Sequence, residues 1–191
     1  MTLEERLNAA AADLDTTGAR WALIGGWALS AYVPPRFTED ADFAVAITSD
    51  TEADTIVFSL RQAGYGPPHL HQHDTDRVSM VQLEHPVKEV LMDLMFNHSG
   101  IETEIVDQAD EVDLFRTGLL LPVARLPHLI AMKALADREK DLKDLDLLIP
   151  EATPGELGEA RHAARLIQNR GLHPDKDVPA LLEAATRRAG R

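Results

Sequence analysis

Apolar and polar positions alternate along this chain with two different periods. Thr2-Leu3-Glu4-Glu5 forms a capping box, and alanines and leucines at helical spacing follow to about residue 14, with Gly18 just beyond. Residues 21–24 are a short apolar run of strand length that breaks at Gly25-Gly26, and 27–32 carry a short helical pattern. After Pro34-Pro35 an extended run occupies 40–47. Asp50 or Thr51 caps a helix that reaches about residue 63 and ends at Gly64, and Gly66-Pro67-Pro68 is a loop. Extended patterns follow at 77–83, 87–96 and 103–106, with a fourth at 118–123.

Beyond Arg125 the period becomes helical. Leu126, Leu129, Ile130, Lys133, Ala134 and Asp137 fit one helix, and 140–149 a second. Residues 150–158, rich in Pro and Gly, read as a boundary, and two more helices are expected at about 156–169 and 177–189. Strands with interleaved helices, then helices alone, predict an α+β fold. The expected division is a core over 1–150 and a helical C-terminal appendage over 151–191.

The chemistry gathers around the first apolar run. Two glycines between a strand and a helix let the backbone approach a ligand, and a helix start offers N–H groups to an anion. Asp40 and Asp42 share one face of an extended segment, while Phe43, Val45 and Ile47, with Ala41, point into packing. A phosphate cradle beside paired carboxylates suits Mg²⁺ held against a nucleoside triphosphate. Asp93 sits inside the apolar run 87–96, where an unpaired carboxylate is costly. It needs a shared metal ion, an arginine or a wet strand end.

Gly25-Gly26, thirteen residues, then Asp40-Ala41-Asp42 resembles the signature of the nucleotidyltransferase (polymerase-beta-like) superfamily. Gly-Gly-Trp-Ala-Leu followed by Arg36-Phe-Thr38-Glu-Asp40-Ala-Asp42 is similar to its AbiEii-type branch, which includes bacterial toxins; antibiotic-modifying nucleotidyltransferases share the core. The later string Lys133…Arg138-Glu-Lys140-Asp141-Leu-Lys-Asp144 resembles the downstream signature of the same branch. The resemblance implies a nucleotidyltransferase fold: a mixed, twisted β-sheet flanked by helices, with a helical C-terminal segment. It implies transfer of a nucleoside monophosphate from an NTP to an acceptor hydroxyl, with pyrophosphate released. Asp40, Asp42 and Asp93 would then be catalytic and bind Mg²⁺. Gly25, Gly26, Arg36, Thr38, Lys133 and Asp141 would bind the nucleotide, with Asp144 a weaker candidate. The acceptor stays open between a tRNA end, a small hydroxylated molecule and a protein, and a toxin would have a cognate antitoxin. The rival from another class is a degenerate fold that holds a nucleotide or a partner without catalysis. Ala41 stands where a larger aliphatic is usual in the family, Glu39 adds a carboxylate, and Pro34-Pro35 alters the approach to Arg36.

Composition narrows the alternatives. The net charge of −13 argues against a long nucleic-acid footprint. No cysteine is present, which removes disulfides, thiolate metal sites and thiol nucleophiles. Without a long apolar run or signal pattern, a soluble cytoplasmic protein with no membrane association is expected. Ser30 lies within the short helix and reads as packing. His69, His71 and His73 alternate, but with no further ligands nearby they read as a solvated polar loop rather than a zinc site.

Overall fold

A computed structural model describes residues 1–34, 38, 40–72 and 77–190, with backbone alone at Gln72. Arg36 and His73 lie outside the described residues. The elements run α1 (Leu3–Thr16), β1 (Arg20–Leu23), α2 (Gly25–Leu29), β2 (Asp40–Ala46), α3 (Asp50–Gln62), β3 (His69–Gln72), β4 (Val78–His85) and β5 (Val90–Met95). They continue with α4 (Glu102–Asp107), β6 (Asp110–Val112), β7 (Leu121–Val123), α5 (Leu126–Ala136), α6 (Glu139–Glu151), α7 (Pro154–Arg170) and α8 (Val178–Arg188).

The described strands form one mixed sheet of order β3-β4-β5-β2-β1-β7-β6. β2 lies at its centre, antiparallel to β1 and parallel to β5. Its residues explain the position: Ala41, Phe43, Ala44, Val45 and Ala46 are all buried, so only a strand covered on both faces would hold them. Phe43 meets Trp21 of β1 edge to face, with ring centroids 5.1 Å apart. The two aspartates are the polar interruption of that strand, at its N-terminal end.

Three expectations are corrected. Residues 103–106, rich in β-branched side chains, form a helix because Glu102 organises the preceding turn. Its carboxylate accepts from Ser99 N–H at 2.6 Å, Ser99 Oγ at 2.7 Å and Gly100 N–H at 2.9 Å. The supposed polar loop at His69 is an edge strand, β3, paired antiparallel with β4. Pro150 does not end α6 but lies in its last turn, where it forgoes one helical hydrogen bond and the helix closes two residues later.

The helical region is built around α5. Its residues are buried nearly all round, from Leu126 to Leu135, because α6, α7 and α8 pack on it and α2 meets it from the sheet side. α7 opens with the Thr153/Glu156 capping box and contributes Leu157, Ala160, Ala163, Ala164 and Ile167 to the core. Val178, Leu182 and Ala185 of α8 join the same cluster, which is continuous with the sheet core. No described helix is long and apolar enough to cross a membrane.

Candidate active site

Register decides which side chains meet. In the parallel β2–β5 pair, Asp42 stands opposite Asp93, and Asp40 opposite Leu91. Residues paired across a ladder project to the same face, so Asp40, Asp42 and Asp93 converge. All three line a cavity of about 470 Å³ with Gly25, Gly26, Thr38, Met80, Met95, His98, Lys133, Arg138 and Lys140. Residues from five separate stretches of the chain thus share one concavity.

The glycines have a more specific task than the sequence indicates. Gly25 adopts φ +64°, and a Cβ there would fall 1.8 Å from Asp42 Oδ2. A Cβ on Gly26 would meet the Thr38 side chain at 3.0 Å. The paired glycines therefore admit two polar side chains of the protein itself. They also lie inside α2, a five-residue helix, rather than ahead of it, and the Gly26 N–H favours the charged form of the Asp42 carboxylate.

Asp42 opens onto the cavity but is otherwise surrounded by protein. Burial, and then the charge of Asp93, push its carboxyl up to about 7, against the opposing pull of Lys133. Asp93 is also raised, by burial first, although Gln82 Nε2 donates to its Oδ1 at 2.8 Å. Two adjacent carboxylates, each destabilised as an anion chiefly by burial, define a place where a bound cation would be stabilised.

Lys133 lies among the buried residues of α5, with Nζ 2.7 Å from Asp141 Oδ1 and 2.8 Å from Asp144 Oδ2. Arg138 Nε reaches the other oxygen of Asp141 at 2.6 Å. Two cations and two carboxylates balance, which is what makes such burial tolerable. Burial alone would raise Asp141, but hydrogen bonds from Arg138 and then Lys133 outweigh it and hold its pKa below the usual value. Asp141 is 0% exposed and stands behind the lysine, not on the main cavity. Asp141, Asp144 and Leu148 fall on one face of α6, and that i, i+3, i+7 stripe was the available sign that both carboxylates turn inward. An ammonium has three donors, so with two engaged one remains for the cavity that Lys133 lines.

Sequence reasoning passed over His98, Lys140, Gln82 and the methionines of the lining. His98 follows β5 by three residues, and its Nδ1 lies 3.1 Å from Ser79 Oγ. A second cavity, of about 550 Å³, lies between α4, α5 and α7. Its carboxylates Glu104 and Glu159 pair with Arg170 and Arg125, and it holds none of the three aspartates. Among the described residues no group of three or more His, Asp or Glu side chains forms a ready-made metal centre. The chemistry of the donor set nevertheless fits a hard cation: oxygen donors alone, with a carboxylate pushed to about 7 by burial and the charge of Asp93.

A central mixed sheet with a glycine bend and aspartates on adjacent parallel strands is a nucleotidyltransferase fold. Among the solved structures with a similar fold is an antigenic nucleotidyltransferase-like protein from Paracoccidioides brasiliensis, at TM-score 0.54 and 22% identity over 95% of this chain and 92% of that one. The chain belongs to the AbiEii family, described as nucleotidyl transferase AbiEii toxin, Type IV TA system, whose sequence model matches residues 9–190. More distant is the antibiotic-resistance factor ANT(2'')-Ia, at TM-score 0.41 and 16% identity over 98% of this chain and 91% of that one. Another structure of ANT(2'')-Ia, in complex with adenylyl-2''-tobramycin, gives TM-score 0.44 and 14% identity over 97% of this chain and 96% of that one. No curated protein matches the chain by sequence.

Proposed function

We propose that this protein is a Mg²⁺-dependent nucleotidyltransferase that moves a nucleoside monophosphate from an NTP to an acceptor hydroxyl, releasing pyrophosphate. The observation that carries the proposal is Asp42 opposite Asp93 on parallel strands, sharing one cavity with Asp40 and facing Lys133. Asp40, Asp42 and Asp93 are the residues that would hold Mg²⁺. When bound, the ion would grip the triphosphate and offset charge developing on the transferred phosphoryl group.

The protein's own groups do the rest. Lys133, fixed by Asp141 and Asp144, presents its remaining N–H to the phosphates, so Asp141 acts through the lysine. Thr38 would add to phosphate binding from the cavity wall, and Arg36, outside the described residues, would do so on the strength of the sequence resemblance alone. Gly25 and Gly26 hold Asp42 in place and let the nucleotide approach. Asp93, raised by burial, is suited to take the proton of the acceptor hydroxyl. The chain's family supports a toxin role with a cognate antitoxin, and a soluble, cytoplasmic setting accords with it. Residues 1–150 would carry the chemistry, with 151–191 as supporting helices.

A pyrophosphate-release assay with Mg²⁺ and each NTP, using tRNA, aminoglycosides and proteins as acceptors, tests this directly. Asp42→Asn should lower turnover by about 10³-fold or more, the scale of several kcal/mol of charge stabilisation. Calorimetric binding of Mg-NTP without pyrophosphate release under any condition would instead identify a nucleotide-holding module.

A further inference from the structure

The connector between α7 and α8, residues 171–177, touches two walls of the active-site cavity that are far apart in sequence. On one side, His173 Nε2 lies 2.7 Å from the backbone carbonyl oxygen of His98. A carbonyl can only accept, so the Nε2 carries the proton. The two imidazoles also meet edge to face, with centroids 5.6 Å apart. The neighbouring Gly100, at φ +82°, is so closely covered that a Cβ there would meet Arg170 Cβ at 3.0 Å and Leu172 Cδ1 at 3.2 Å. His98 lines the catalytic cavity.

On the other side, Lys176 Nζ donates to the carbonyls of Leu135 at 2.6 Å and Ala136 at 3.2 Å. These belong to the last turn of α5, whose terminal carbonyls have no partner within the helix. A lysine there satisfies them and matches the negative end of the helix dipole. Asp137 then turns the chain in the left-handed region, at φ 54°, and Arg138 and Lys140 follow on the cavity rim. α5 itself carries Lys133. The connector is in turn held by Val178 N–H on Gln168 Oε1 at 2.9 Å.

We infer that residues 171–177 clamp the active site, with His173 and Lys176 as positioning residues that fix the His98 loop and the α5–α6 junction relative to each other. This rests on the transferase reading of the cavity, but its structural half can be measured without turnover. A displacement of about 1 Å at a reacting centre costs on the order of 10²-fold in rate, so a loosened clamp should be felt in catalysis.

The test uses the full chain with His173→Leu and Lys176→Met, and the conservative partners His173→Gln and Lys176→Arg, which keep a donor. Hydrogen–deuterium exchange should quicken at 97–101 in His173→Leu and at 134–140 in Lys176→Met, each without the other. In both, kcat for pyrophosphate release should fall by roughly 10- to 100-fold, with melting temperatures within a few degrees of the parent and the conservative variants largely restored. Unchanged exchange at both segments overturns the clamp. So does altered exchange with parental kcat and KM, since the cavity would then not depend on it. If the parent releases no pyrophosphate, the transferase reading fails, and the clamp is decided by exchange together with Mg-NTP affinity, which loss of positioning must weaken.

Discussion

Asp42 shows how far a single side chain was readable. Alternation along an extended run placed it beside Asp40 and away from Phe43, and the ladder adds Asp93 opposite. Its charge state was not readable, because burial and a like-charged neighbour depend on tertiary contacts. In the cation-free protein it stays protonated to pH about 7, against 3.8 for the ordinary group. The folded chain then binds more protons across that window, so stability falls as pH rises through it and levels off above. Asp42→Asn should remove Asp42's share of this slope and leave the share that the raised Asp93 carboxyl contributes. In chelator the variant should be more stable than the parent by about 4 kcal/mol at pH 8, with the difference gone by about pH 4, measured by urea unfolding. Mg²⁺ at pH 8 should raise the melting temperature of the parent and leave Asp42→Asn almost unmoved. Gly25→Ala forces both a left-handed alanine and a clash with Asp42. It should cost on the order of 1–3 kcal/mol in the same experiment and abolish turnover.

Among the elements, those with strong internal signals were legible. The capping box of α1 and the apolar run of β2 correspond to the structure within a residue or two. Elements set by neighbours were not. β6 spans three residues at the sheet edge and has no pattern to read. α4 is rich in β-branched residues, and its helix depends on Glu102 gathering the Ser99–Gly100 turn. Glu102→Ala would leave the buried Ser99 N–H, the part-buried Gly100 N–H and the Ser99 hydroxyl proton without their acceptor. The expected loss is about 2–4 kcal/mol in chemical denaturation, and faster exchange at 98–101, which adjoins the candidate active-site cavity. For α5 the apolar face with Lys133 at its border was legible, but the burial of the remaining sides was not, because three later helices cover them.

At the scale of the molecule, the α+β class and the helical C-terminal region followed from the change of period after Arg125. How tightly that region belongs to the rest did not, because covalent order says little about packing. α7 and α8 share a continuous core with α5 and the sheet, and the family match runs through residue 190. A single cooperative unfolding transition, coincident by circular dichroism and tryptophan fluorescence, is therefore expected. Truncation after residue 150 should expose the α5 face and give an aggregating or partly folded product. A compact, soluble, well-dispersed fragment would instead establish 151–191 as a separable appendage.

The space beside the Gly25 α-carbon is occupied by the carboxylate of residue 42. The two positions therefore constrain each other by sterics as well as by chemistry. In a lineage that has abandoned the reaction, losing the aspartate would lift the bar against a side chain at the glycine, and both should drift. A descendant keeping the glycine but not the acid would be a recent casualty, and the pair could serve as a clock for lost activity.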